Sequence, residues 1–76
     1  MKTEISRIRA GKTVIINDLQ TGKTNIFKRN GFGKIEKLCR QQSGTYRVQL
    51  ELSLKQFVQV LTLIHKQNGE LSTGKN

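Results

Sequence analysis

The sequence predicts a small α+β domain with two layers, in which a mostly antiparallel β-sheet carries its helices on one face. Three observations lead to this fold class. Short segments rich in β-branched residues recur about every ten residues, which is typical of a meander of antiparallel strands. Residues 54–67 instead show an apolar stripe with helical spacing. With 76 residues, the chain accommodates one domain with a thin core.

The first half of the chain predicts three strands. The segments EISRIR (4–9), TVIIN (13–17) and TNIFKR (24–29) are rich in β-branched or aromatic residues. A tight turn at residues 10–11 and a longer turn at residues 18–23 separate them, because glycine is available there for unusual backbone angles. The pattern does not assign a buried and an exposed face within these strands.

The second half predicts a helix, a strand and a longer helix, so the expected order is β-β-β-α-β-α. Ile35, Leu38 and Cys39 fall at helical spacing, which indicates a short helix over residues 34–42. In TYRVQLEL (45–52), apolar and polar side chains alternate, as in a strand with one buried face. The face predicted to be buried comprises Tyr46, Val48, Leu50 and Leu52.

The last helix has its own start signal. Ser53 and Gln56 match a capping box, in which each side chain bonds to the backbone of the other residue. Leu54, Phe57 and Leu61 then fall on one face of a helix over residues 54–67. Residues 69–76 are polar and predict a flexible C-terminal tail, behind a single basic domain over residues 1–68.

Charge is the strongest functional signal. Lys and Arg number 14 against 5 Asp and Glu, which gives a net charge of +9. Residues 1–40 carry ten basic and three acidic side chains, whereas residues 41–76 carry four and two. An excess of this size favours a polyanionic partner over a merely solvated surface. We therefore expect the partner to contact the first half of the chain.

Basic side chains at the turns and strand ends form the candidate binding site. A meander brings such residues onto one edge of the sheet, where they can neutralise a phosphate backbone. Backbone N–H groups of residues 31–34, at the start of the predicted helix, would add an anion site. Only Phe27 and Phe32 are candidates for base stacking, and each is more often a core residue. The candidate nucleic-acid-binding residues are Arg7, Arg9, Lys12, Lys23, Lys28, Arg29, Lys34 and Lys37.

The dipeptide Gly-Lys occurs three times at an eleven-residue step, beginning at Gly11, Gly22 and Gly33. A phosphate-binding P-loop needs another glycine five residues before the Gly-Lys-Thr glycine, and a helix after it. Ser6 and Asn17 occupy those upstream positions, and both copies of Gly-Lys-Thr lead into predicted strands. The P-loop is therefore excluded, and the step is that of a meander.

The inventory of reactive side chains is poor. His65 is the only histidine, Cys39 is the only cysteine, and the five carboxylates are scattered along the chain. We expect no catalytic activity, no metal and no cofactor. A single cysteine forms no intrachain disulfide, which favours a reducing, cytoplasmic compartment. No signal-peptide core or membrane-length segment is evident, so no membrane partner is expected.

Two functional hypotheses follow. The first is a small non-enzymatic nucleic-acid-binding protein, regulatory or accessory, with DNA and RNA both open as ligands. The alternative is a protein-binding module or inhibitor whose basic face docks an acidic protein partner. A homodimer is compatible with either hypothesis, because a thin core leaves a small margin of stability.

Overall fold

The computed structural model describes residues 1–73, in the order α-β-β-β-β-α. The four strands form one antiparallel sheet in the order β1-β2-β3-β4, so each strand pairs with its neighbour in sequence. A small α+β domain is therefore confirmed, whereas the predicted order β-β-β-α-β-α is wrong at two elements. The elements are α1 (Lys2–Arg9), β1 (Val14–Asn17), β2 (Thr24–Arg29), β3 (Ile35–Arg40), β4 (Tyr46–Leu52) and α2 (Leu54–Thr73).

The first correction concerns residues 4–9, which belong to α1 and not to a strand. Ile5 and Ile8 are three residues apart, so they share one face of a helix but would point to opposite faces of a strand. Ile8 is buried, and Ile5 packs against the same core. Gly11 ends the helix with a φ of 79°, and the Lys12 N–H donates to the Arg7 carbonyl at 2.9 Å. This is the hydrogen bond of a Schellman motif.

The second correction concerns residues 34–42, where β3 replaces the predicted helix. Ile35 is buried in register with Leu52, whereas Leu38 pairs with Ile26 on the other face of the sheet. A strand with apolar side chains on both faces gives apolar spacings that resemble those of a helix. The Asn30-Gly31 pair that precedes it is a hairpin signal, and it does form a hairpin turn.

A single core lies between one face of the sheet and the two helices. Phe27 of β2 and Phe57 of α2 are fully buried and form an edge-to-face pair, with ring centroids 5.1 Å apart. The sheet also contributes Val14, Ile16, Ile35 and Leu52, and the helices contribute Ile8, Leu61 and Ile64. We call this the helix-covered face of the sheet, and the opposite side its outer face.

The predicted buried face of β4 is wrong except at Leu52. The register between β3 and β4 shifts between Lys37 and Leu38, so that Leu50 pairs with Lys37 and Val48 with Leu38. Adjacent residues of a strand point to opposite faces, so the shift separates Leu50 from Val48. Tyr46 and Val48 lie on the outer face, which neither helix covers, and Leu50 is exposed although it lies on the helix-covered face.

The start of α2 confirms the predicted capping box. The Ser53 N–H donates to Gln56 Oε1 at 2.9 Å, and the Gln56 N–H donates to Ser53 Oγ at 3.2 Å. The helix continues to Thr73, so residues 69–73 of the predicted tail are helical. The remaining tail, residues 74–76, lies outside the described residues.

Four glycines, spaced eleven residues apart, lie between successive structural elements from α1 to β4. Gly11, Gly22, Gly33 and Gly44 all have positive φ, between 71° and 88°. The first ends α1, and the other three lie in the successive turns of the meander. The Gly-Lys series of the sequence is therefore part of a longer glycine series set by the spacing of the strands.

Candidate nucleic-acid interface

Five of the candidate cations lie at one end of the molecule, where β2 ends and β3 begins. Antiparallel pairing places the start of β1 and the turn between β2 and β3 at this end. The C-terminus of α1 reaches it too, because the Arg29 guanidinium donates to the Arg9 carbonyl at 3.2 Å. We call this group the basic end, and it consists of Arg7, Arg9, Lys12, Arg29 and Lys34.

Two arginines of the basic end also organise it. Arg7 donates from Nε and Nη2 to the Thr13 carbonyl, at 3.3 and 3.1 Å, and so fastens α1 to the start of β1. Arg29 binds the last turn of α1, where a cation interacts favourably with the helix dipole. Both acceptors are uncharged carbonyls, so both guanidinium groups keep their full charge towards solvent.

The other three cations have unoccupied side chains. Arg9, Lys12 and Lys34 make no side-chain hydrogen bond and no ion pair among residues 1–70. In the same part of the chain, no Lys or Arg side chain lies within ion-pair distance of a carboxylate. The fold therefore leaves its positive charge available to a partner.

Four carboxylates, by contrast, are occupied within the fold. Glu4 lies 3.3 Å from the N-terminal amino group and 2.7 Å from His65. Asp18 accepts from the backbone N–H groups of the turn that follows β1. Glu36 and Glu51 share the amide nitrogen of one side chain, Asn30, which is described below. These four carboxylates are thus engaged within the fold, whereas no Lys or Arg side chain of residues 1–70 pairs with a carboxylate.

Three candidate residues lie outside the basic end. Lys28 projects from the outer face in register with Glu36, which offsets part of its charge. Lys23 lies in the turn between β1 and β2, at the opposite end of the sheet. Lys37 is half-buried in the middle of β3, in register with Phe27 on the helix-covered face. The structure corrects the placement of Lys37 at a helix start.

A surface concavity that the sequence did not predict lies at the end of the sheet opposite the basic end. Its volume is about 610 Å³, and Arg40 and Tyr46 contribute to it. Arg40 was missed because residues 34–42 were predicted to be a helix. Tyr46 was missed because it was predicted to lie on the buried face of its strand. The pattern itself gave no signal for either side chain. The lining residues are Lys23, Thr24, Ile26, Cys39, Arg40, Tyr46 and Gln49.

The turn between β2 and β3 differs from the predicted helix start. The side-chain oxygen of Asn30 accepts from the N–H groups of Phe32 and Lys34, at 2.9 and 3.0 Å. The Gly33 N–H donates to the Asn30 carbonyl at 3.2 Å. These backbone donors are satisfied within the turn, so the expected anion site on residues 31–34 is not formed.

Phe32 stands at the tip of this turn with 90% of its surface exposed. The cleft beside it has a volume of about 170 Å³ and is lined by Arg9, Arg29 and Gly33 together with apolar side chains. The turn that exposes this aromatic ring thus belongs to the same end of the molecule as the basic end. Phe27, the other candidate for base stacking, is buried in the core and unavailable for it.

The outer face of the sheet carries an apolar row. Ile15, Ile26, Leu38 and Val48 stand in register across all four strands. Ile15 is 64% exposed and Val48 is 44% exposed, and neither helix covers this side. The row is a surface distinct from the basic end.

The described residues hold no group of three His, Cys, Asp or Glu side chains arranged as a metal site. Cys39 is a half-buried free thiol, and His65 contacts Glu4 at the interface of the two helices. Neither α1 nor α2, as described, combines the length and apolar character needed to span a bilayer.

No protein-family model matches this chain, and no curated protein or solved structure matches it. The class defined by fold and site is a small antiparallel α+β domain with a cationic end. Its function has to be argued from the chemistry of that end.

Proposed function

We propose that this chain is a small non-enzymatic nucleic-acid-binding protein, regulatory or accessory, that contacts phosphate groups through its basic end. One observation carries the proposal: five cations converge on one end without an ion pair to a carboxylate, while the carboxylates that reach this end, Glu36 and Glu51, are bound by Asn30. DNA and RNA offer the same phosphate chemistry, so both are candidate ligands.

The arrangement suits a phosphate backbone for a physical reason. A polyanion carries condensed counterions, and each phosphate neutralised by Lys or Arg releases them, which drives binding. Arg9, Lys12 and Lys34 give up no internal contact when they turn to a ligand, so binding does not compete with folding. Arg7 and Arg29 are held in place by carbonyl groups, which lowers the entropic cost of using them.

The test is the salt dependence of binding, measured by fluorescence anisotropy with mixed-sequence DNA and RNA. In the test variant, Arg9, Lys12 and Lys34 are each replaced by Gln, which removes the charges and keeps the side-chain length. Each lost phosphate contact should lower the slope of log K against log salt by about 0.7 to 0.9. We expect the triple variant to lose about 2 to 3 units of slope and most of its affinity at low salt.

A matched control carries Gln at Lys23, Arg40 and Lys66, which removes the same charge away from the basic end. Their side chains make no hydrogen bond and no ion pair with the rest of residues 1–70, so neither variant should unfold the domain. The control should keep most of the wild-type affinity and slope. Absence of binding to both nucleic acids at low salt would overturn the proposal, and equal losses in the two variants would overturn the basic end as the site.

An acidic protein partner is the second candidate, and the apolar row on the outer face favours it. Exposed apolar groups near positive charge are common where proteins associate. Lys23 and Arg40 lie at one edge of this face, beside Ile26. Affinity capture from a nuclease-treated lysate, followed by loss of the captured acidic protein in an Ile26→Asp variant, would support this alternative.

A further inference from the structure

Phe32 is the most exposed large hydrophobic residue among those described. With 90% of its surface in solvent, its ring contributes nothing to the core. Exposing a phenylalanine forgoes the free energy that its burial would supply, so a residue in this position calls for an explanation outside folding.

The turn fixes the backbone that carries Phe32. Asn30 uses its whole side-chain amide: the oxygen accepts from two N–H groups of the turn, and the nitrogen donates to Glu36 and Glu51 at 3.2 and 2.6 Å. The backbone of Asn30 closes the same turn through the Lys34 carbonyl at 2.8 Å. A ring presented on so constrained a turn loses little entropy when a ligand binds it.

A second turn of the same chain shows that this backbone does not require an aromatic. Residues 41–45 repeat its two backbone bonds, from Gln41 N–H to the Thr45 carbonyl at 2.8 Å and from Gly44 N–H to the Gln41 carbonyl at 3.0 Å. Gly44 has a φ of 88°, close to the 77° of Gly33. The position that corresponds to Phe32 is Ser43, so the turn forms equally with a small polar side chain.

The neighbours of the ring identify its ligand. Arg29 and Lys34 flank the turn, and Arg9 lines the adjacent cleft. An exposed ring on a turn flanked by cations matches a ligand in which flat aromatic groups alternate with phosphates. Insertion into a membrane would favour further apolar side chains at the tip, whereas the residues beside the ring are Gly31 and Gly33.

We propose that Phe32 stacks on an unpaired base of single-stranded nucleic acid while the basic end binds the adjacent phosphates. This inference rests on the proposed function and specifies its substrate. Single strands expose base faces that an aromatic ring covers with little dependence on sequence. In a duplex those faces are already stacked, so inserting a side chain between them costs the free energy of unstacking the bases. The protein therefore prefers single strands to duplexes.

The test compares the dissociation constants for one mixed-sequence oligonucleotide, single-stranded and annealed, at one low salt concentration. Phe32→Ser installs the residue that the second turn uses, and Phe32→Tyr keeps an aromatic ring. Ser43→Phe places an equally exposed ring on the same backbone far from the basic end. We expect Phe32→Ser to weaken single-strand binding by about 5- to 150-fold, the range for loss of one stacked base.

The same change should lower the preference for single strands towards unity while the salt dependence stays that of the wild type. Phe32→Tyr should retain the wild-type preference, and Ser43→Phe should leave single-strand affinity unchanged. Equal affinities of the wild type and Phe32→Ser, or equal losses on single strands and duplex, would overturn the inference. A tighter single-strand binding by Ser43→Phe would also overturn it. So would a Phe32→Ser variant that loses affinity for vesicles of anionic phospholipid but not for the single strand.

Failure of this inference is distinguishable from failure of the proposed function. If the triple Gln variant of the basic end weakens binding and Phe32→Ser does not, only the stacking role falls. If the wild type binds neither form of the oligonucleotide at low salt, both fall together.

Discussion

The turns at residues 30–34 and 41–45 share one backbone geometry and differ in what they present. Both are closed by the same pair of backbone hydrogen bonds, and both have a glycine with positive φ at the fourth position. The first anchors its Asn30 side chain and exposes an aromatic ring among cations. The second carries Ser43, whose hydroxyl lies 2.8 Å from that of Thr45.

The comparison separates the features that the turn needs in order to form from the side chains that it presents to solvent. The backbone of the turn requires a glycine and two closing bonds, and both turns supply them. The ring of Phe32 and the anchoring by Asn30 are found at the first turn only, whereas an arginine precedes each turn, Arg29 the first and Arg40 the second. The exposed ring and its anchored turn are the features expected of a binding site on a rigid scaffold.

The largest expected effect comes from comparing Phe32 with Phe27, the phenylalanine in the strand that leads into the same turn. Phe27→Ala removes a buried ring that packs edge-to-face on Phe57, and it should cost about 3–5 kcal/mol of stability. Phe32→Ser should change the free energy of unfolding by less than about 0.5 kcal/mol. Urea unfolding followed by circular dichroism measures both. A substantial destabilisation by Phe32→Ser would show that the ring serves the fold.

An intermediate effect on stability is expected at Asn30, the first position of the first turn, and not at the corresponding Gln41. Asn30→Ala removes four hydrogen bonds and leaves Glu36 and Glu51, which are cross-strand neighbours, without the donor between them. We expect a loss of about 1–2 kcal/mol in urea unfolding, together with faster amide exchange at Phe32 and Lys34. Gln41→Ala is the matched control, because the Gln41 side chain makes no hydrogen bond in the described structure. Equal stabilities of the two variants would argue against an anchored first turn.

The smallest effect concerns α1, which carries Arg7 and Arg9 to the basic end. Burial raises the pKa of Glu4, but hydrogen bonds from its own backbone, from His65 and from the N-terminal amino group outweigh it and leave the pKa below 4.5. A depressed carboxyl pKa contributes stability above the unfolded-state value, and that stability is lost as the pH falls through the folded-state value.

Thermal unfolding between about pH 6 and about pH 3 should therefore show a smaller acid-induced loss in Glu4→Gln than in the wild type. Because every other residue is the same in both proteins, the difference between the two curves isolates Glu4. Identical curves would contradict a stabilising role for its contacts with His65 and the N-terminus.

Much of the scaffold was predictable from local pattern. Runs of β-branched residues predicted the strands over residues 13–17 and 24–29. The pair Ser53 and Gln56 predicted the capped start of the last helix. These features are decided by neighbours in sequence, so the structure confirms them.

Two elements escaped prediction because tertiary packing decided them. In EISRIR, Ile5 and Ile8 fit a helix face better than a strand face, and packing on the sheet decided the outcome. In IEKLCR, the apolar outer face supplied Leu38, which produced an apparently helical spacing. Both corrections change where candidate binding residues lie. Arg7 and Arg9 reach the basic end from a helix, whereas Lys37 lies in the middle of a strand.

The cations were identifiable from composition, but their grouping was not. Lys12 and Lys34 meet at one end of the sheet and Lys23 lies at the other, because antiparallel strands alternate in direction. The exposure of Phe32 had no sequence signal, since an isolated phenylalanine next to a glycine is more often buried than displayed.

The most direct test of the central claim is an NMR titration of ¹⁵N-labelled protein with a short single-stranded oligonucleotide. We expect amide shifts to concentrate at Arg9, Lys12 and residues 29–34, with residues 41–45 nearly unchanged. The same titration of Phe32→Ser should show smaller shifts in the first turn. Shifts centred on residues 41–45, or no shifts at low salt, would contradict the account.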